Sequence, residues 1–92
     1  MSVLVNDLRI QLQKKILSAS SIKEIEQGIE QALANLAHEV GGNQVIDQFI
    51  DLMINDLTQS GDSDKTKQQV SNIRSARIHL NELKFYRKFE AL

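Results

Sequence analysis

The 92-residue chain contains no cysteine, no proline and no tryptophan, and its aromatics are three phenylalanines and one tyrosine. Each absence removes a class of protein. Without cysteine there is no disulfide scaffold, no thiolate metal site and no thiol nucleophile. The lack of proline and the scarcity of aromatics, together with long periodic apolar segments, point to an all-helical protein. Apolar runs are only a few residues long, far short of the roughly 20 that a membrane helix needs. The opening Met1-Ser2-Val3-Leu4 places no basic segment ahead of an apolar one, so a cytoplasmic protein is expected.

A hydrophobic fraction of 41% and a charged fraction of 25% are those of an ordinary folded domain rather than a disordered chain. At this length one domain spanning 1–92 is expected, small enough to bury only about 60–70% of its unfolded surface. The net charge of −1 is unevenly distributed. Met1 to Asp64 carry four basic and ten acidic residues, whereas Lys65 onward carries seven basic and two acidic ones. The C-terminal stretch is therefore the basic partner of an acidic body.

The most apolar stretch runs from Asn43 to Ser60. At 100° per residue Val45, Ile46, Phe49, Ile50, Leu52, Met53, Ile54 and Leu57 cover about 200° of a helix, twice the stripe of a surface helix. Such a helix must be covered from at least two sides. The predicted covering elements are a helix over 3–18, with Leu4, Leu8, Leu12 and Ile16 at i+4 spacing, and one over 22–40, with the stripe Ile22, Ile25, Ile29, Leu33 and Leu36. The fourth is a long helix over about 64–90. Ser21-Ile22-Lys23-Glu24 has the form of a capping box for the second helix. Gly41-Gly42 ends it, and Asn43 can cap the third, predicted over 44–60. Gly28 sits inside the second helix, where it costs about 1 kcal/mol against alanine. Asp62, Ser63 or Asp64 are the expected caps of the last helix, which is long enough to overhang the other three.

Two helices have more apolar surface than one neighbour can cover. On the first, Val3, Ile10 and Leu17 form a second row. On the last, Val70, Ile73, Ala76, Leu80 and Leu83 form one stripe and Ile78, Phe85, Phe89 and Leu92 another. A basic row of Arg74, Arg77, Asn81, Lys84 and Lys88 lies between them. It suits phosphates or an acidic partner, or it complements carboxylates of the chain's own second and third helices. Asp56 falls within the apolar arc of the third helix, and its expected role is to reach water or to pair with Arg74 or Arg77.

Around Ala37 and Gly41 the chain resembles the turn of a helix-turn-helix DNA-binding unit, with an alanine followed four residues later by a glycine and a second helix. The next apolar position is Asp47, however, and the helix that would enter the groove carries Asp47, Asp51 and Asp56 with no base, a surface phosphates repel. His38 with Gly42 four residues on is similar to a histidine phosphotransfer domain. That pattern's lysine before the glycine is replaced by Gly41. A histidine in a helix's last turn also has a plain role beside the negative dipole end.

No catalytic set and no cofactor or metal site is expected. The only histidines, His38 and His79, fall on different helices, Asp47 and Asp51 make a poor metal pair, and Gly41-Gly42 lacks the lysine of a nucleotide loop. The expectation is a non-enzymatic four-helix interaction or regulatory module that pairs with itself and with another protein, without contact to a membrane. Alternatives are a nucleic-acid-associated regulator using the basic helix and a phosphotransfer module. The whole-chain pI of 6.1 is low for dedicated nucleic-acid binding. The expected interaction residues are Val3, Ile10, Leu17, Ile78, Phe85, Phe89 and Leu92.

Overall fold

A computed structural model of the protein describes residues 3–39, 43–61 and 63–90, with side chains over 5–39, 44–61 and 63–87. It is an all-α fold of four helices: α1 Val3–Ser18, α2 Ile22–Glu39, α3 Asn43–Gln59 and α4 Lys67–Glu90. The first three begin and end within one residue of the positions set by periodicity. Among the described residues there is no strand.

The turn into α2 is built as the sequence predicts, with one shift. The Glu24 backbone N–H donates to Ser21 Oγ at 3.2 Å, but the Glu24 carboxylate accepts from the N–H and hydroxyl of Ser20, at 2.9 and 3.0 Å, instead of from Ser21. These hydrogen bonds, the backbone one foremost, hold the Glu24 carboxyl below its ordinary value of 4.5. A carboxyl whose folded value is depressed adds stability that is complete above its unfolded value and fades as pH falls through the folded one. Denaturation midpoints of wild type and Glu24→Gln measured across that window should therefore converge as the solution is acidified below about 4.5. Parallel acid limbs would show that Glu24 is not titrating in a capped state.

The start of α4 differs from expectation. The cap is Thr66, not Asp62, Ser63 or Asp64: Gln69 N–H donates to Thr66 Oγ1 at 3.1 Å and Thr66 N–H to Gln69 Oε1 at 3.1 Å. Thr66-Lys67-Gln68-Gln69 is a reciprocal capping box, so α4 begins three residues later than predicted. Ahead of it Lys65 Nζ donates to the Gly61 carbonyl at 2.7 Å, closing the connection.

The hairpins are antiparallel. Leu12 and Lys15 of α1 lie beside Gly28 of α2, while Asp47 and Asp51 of α3 pair with Arg87 and Lys84 of α4. Asn72, early in α4, touches the end of α1, so α4 runs with α2 and against α1 and α3. All four helices feed one hydrophobic cluster. The wide arc of α3 resolves into a buried centre of Ile46, Phe49, Ile50, Met53 and Leu57, with Val45, Leu52 and Ile54 half-buried along its margins.

At 1.5 Å per residue α4 is about 36 Å long, against roughly 24–27 Å for the others. The Asp47 and Arg87 pair puts its C-terminal end level with the start of α3. The excess length over α3 therefore lies at the opposite end, where Ser60 and Gly61 sit beside Val70 and Arg74.

At Gly28 no close helix approach is needed to explain the glycine. An added Cβ would meet only the side-chain tips of Lys15 at 3.6 Å and Leu12 at 3.7 Å, ordinary contact distances. Gly28→Ala should raise stability by about 1 kcal/mol through helix propensity, seen as a melting temperature higher by about 4–8 °C. A decrease would mean that the α1 and α2 contact cannot yield.

Candidate functional site

The apolar surface left uncovered lies mainly on α4. With Ile73, Ala76 and Leu80 turned into the core, the residues at Ile78 and Phe85 fall on the opposite side of the helix and are 55% and 64% exposed. Tyr86, 61% exposed, packs edge-on against Phe85 with ring centroids 5.9 Å apart. From α2, Ile22 is 62% exposed and lines one surface depression with Ile78.

The expected second row on α1 is only partly a surface. Ile10 is 54% exposed, but Leu17 is half-buried and packed against the core next to the buried turn residue Ala19. The row is thus covered at one end by its own chain. The side chains of Val3 and Phe89, and Leu92 altogether, lie outside the described residues.

The basic row divides in two. Lys84 Nζ lies 2.8 Å from Asp51 Oδ1, so the acidic face of α3 takes up one member of the row, and Arg87, beside the row, has Nε 2.6 Å from Asp47 Oδ1. Both pairs are solvent-facing and contribute little stability. Arg74 and Arg77 are exposed and meet no carboxylate among the described residues. They line a groove of about 350 Å³ between the end of α3 and the first half of α4. Lys88 lies outside the described side chains.

Asp56 pairs with neither Arg74 nor Arg77. Its partner is Arg9 of α1, which donates from Nε at 2.9 Å and Nη2 at 2.7 Å, with Gln13 Nε2 adding a third hydrogen bond at 3.1 Å. Arg9 and Gln13, four residues apart, form one face of α1 that meets α3, whereas Arg74 and Arg77 border a groove between α4 and the end of α3 that Asp56 does not line. The Asp56 hydrogen bond is the main reason the Arg9 guanidinium holds its proton still more firmly than usual.

A second depression, of about 220 Å³, lies between α2 and α4 and brings Glu26, Ser75, His79 and Glu82 together. Serine, histidine and carboxylate are the residue types of a nucleophilic relay, but they are not connected as one. His79 Nδ1 is 3.6 Å from Glu26 Oε2, beyond hydrogen-bond reach, and Nε2 is buried without a partner among the described residues. Glu82 stands three residues after His79, a spacing visible in the sequence. No group of three or more potential ligands that could hold a metal is found among the described residues. His38 is exposed in the last turn of α2, as its position opposite the stripe predicts.

Sequence reasoning missed Asn72, the one buried polar residue among the described residues, at 2% exposure. Its Nδ2 donates to the carbonyls of Ile16 and Ala19 at 2.9 and 2.8 Å, and its Oδ1 accepts from Gln68 at 2.8 Å. An asparagine between Val70 and Ile73, on the flank of a buried stripe, is the signal that was available.

No protein-family model, no curated protein and no solved structure matches this chain. No helix among the described residues is long and apolar enough to cross a membrane.

Proposed function

We propose that the protein is a non-enzymatic interaction module that works as a homodimer, joined through the face formed by Ile22, Ile78, Phe85 and Tyr86. The observation that carries this reading is the set of large apolar side chains exposed on α4 and beside it. Singly exposed apolar residues are common on folded proteins, but here Ile22 and Ile78 line one depression, Phe85 packs on Tyr86, and Ile78 and Phe85 share the side of α4 turned away from the core. A twofold pairing of identical patches is the simplest closed way to remove them from water.

The basic helix as a nucleic-acid reader has less in its favour, because Lys84 and Arg87 are already opposite carboxylates of α3. The test is mass by light scattering across a concentration series. Wild type should approach twice the chain mass of 10.4 kDa. Ile78→Glu combined with Phe85→Glu should give single chains with an unchanged circular-dichroism spectrum, since both positions are exposed. A wild-type protein that stays at one chain throughout, or a double variant that still pairs, would overturn the proposal.

A further inference from the structure

The groove beside Arg74 and Arg77 has a different character from the α2 and α4 face. Its floor is apolar, made by Leu57 and Ile73, which are 4% and 7% exposed, with Val70 half-buried beside them. Its rim carries two guanidiniums. Of the chain's four arginines, Arg9 and Arg87 are engaged with carboxylates, while Arg74 and Arg77 meet none among the described residues.

The remaining wall is the C-terminal end of α3 and the turn after it, where Ser60 N–H donates to the Asp56 carbonyl and Lys65 Nζ to that of Gly61. One short opening therefore offers paired cationic donors and an apolar floor. A bare phosphate would use only the donors. A nucleic-acid backbone needs a longer cationic track than two arginines, and the next bases along α4, Lys84 and Arg87, are opposite Asp51 and Asp47. An acidic peptide uses both features: carboxylates for Arg74 and Arg77 and an apolar side chain for the floor.

We infer that this groove binds an acidic peptide segment of a partner protein, with its carboxylates on Arg74 and Arg77 and one apolar side chain against Leu57 and Val70. The inference does not depend on the dimer, since the groove lies on the α3 side of α4 and the apolar face on the α2 side.

The test is fluorescence anisotropy on the full chain with a labelled peptide carrying one leucine flanked on each side by two glutamates. Binding should weaken about tenfold in Arg74→Gln combined with Arg77→Gln. It should also weaken when salt is raised from about 0.1 M to about 1 M, which shortens the screening length from about 10 Å to about 3 Å. Replacing the peptide's leucine by serine should weaken it several-fold, while Ile78→Glu should leave it unchanged. Both arginines are exposed, so the double variant keeps its fold, checked by circular dichroism. No salt-sensitive binding of the peptide, binding indifferent to the arginine pair, or tighter binding of inorganic phosphate or a thymidine oligonucleotide would each overturn the inference. These outcomes are read independently of the oligomer mass, so this inference and the dimer can fail separately.

Discussion

Replacing Asn72 by alanine should lower the unfolding free energy by about 2–4 kcal/mol. The side chain does three things at once in a place water does not reach. Its amide supplies donors to two carbonyls where α1 ends: that of Ile16, which also accepts from Ala19 N–H at 3.3 Å, and that of Ala19 in the turn beyond. Its oxygen takes the Gln68 amide. A typical hydrogen bond contributes about 0.5–1.5 kcal/mol net, but an acceptor left buried and unpaired costs about 1–3 kcal/mol, so the loss exceeds that of a surface cap. Against a total stability of roughly 5–10 kcal/mol for a chain this size the change is large. Urea titration should show an earlier midpoint with the slope unchanged, and the melting temperature should fall by more than about 10 °C. Asn72→Asp should do worse, since it sets a carboxylate oxygen against carbonyl oxygens. A loss below about 1 kcal/mol would mean that water or a shifted turn replaces the cap.

The Arg9 and Asp56 pair sets the second large effect. With side chains 22% and 15% exposed and two direct hydrogen bonds, it is more deeply set than the Lys84 and Asp51 pair, at 54% and 56%. Removing the acid strips three acceptor contacts and leaves a guanidinium in a partly dry setting, so Asp56→Ala should cost about 2–3 kcal/mol. The double variant Arg9→Met with Asp56→Leu should recover most of that loss, because well-packed apolar groups can replace a half-buried ion pair without leaving a charge behind. A double-mutant cycle by urea denaturation measures the coupling. If Asp56→Ala and the double variant lose equal amounts, the pair orients α1 on α3 and its charges are incidental.

The helices themselves were legible because their signals are local. The i+4 rows of α1 and α2, the serine and glutamate at Ser21 and Glu24, and the broad arc of α3 each lie within one or two turns of chain, where backbone geometry alone dictates which residues share a side. The missed start of α4 was legible too. Threonine and glutamine at Thr66 and Gln69 have the same spacing as Ser21 and Glu24, with Asp62, Ser63 and Asp64 as rival caps just ahead of them. The apolar face at Ile78 and Phe85 follows from helical phase, and Ile22 joins it only because α2 and α4 lie side by side.

What no local pattern could supply was the choice of partner. Asp56 reaches Arg9, 47 residues away, and Asn72 reaches Ile16, 56 residues away. Leu17 is covered although its row on α1 faces away from the main stripe. The division of one basic row into the engaged Lys84 and the unengaged Arg74 and Arg77 likewise depends on how far α4 slides along α3.

The amino-acid order by itself determined four helices and the inward stripes of α2 and α3, since those depend on 3.6-residue phase and on side chains within a turn of one another; the caps expected from Gly41-Gly42 and the Asn43 side chain lie outside the described residues. Only the tertiary structure decided which polar group meets which. Rotation and register between packed helices are settled by the fit of the whole core, and a displacement of a single turn moves an arginine about 5 Å along its neighbour, enough to exchange one carboxylate for another or for none.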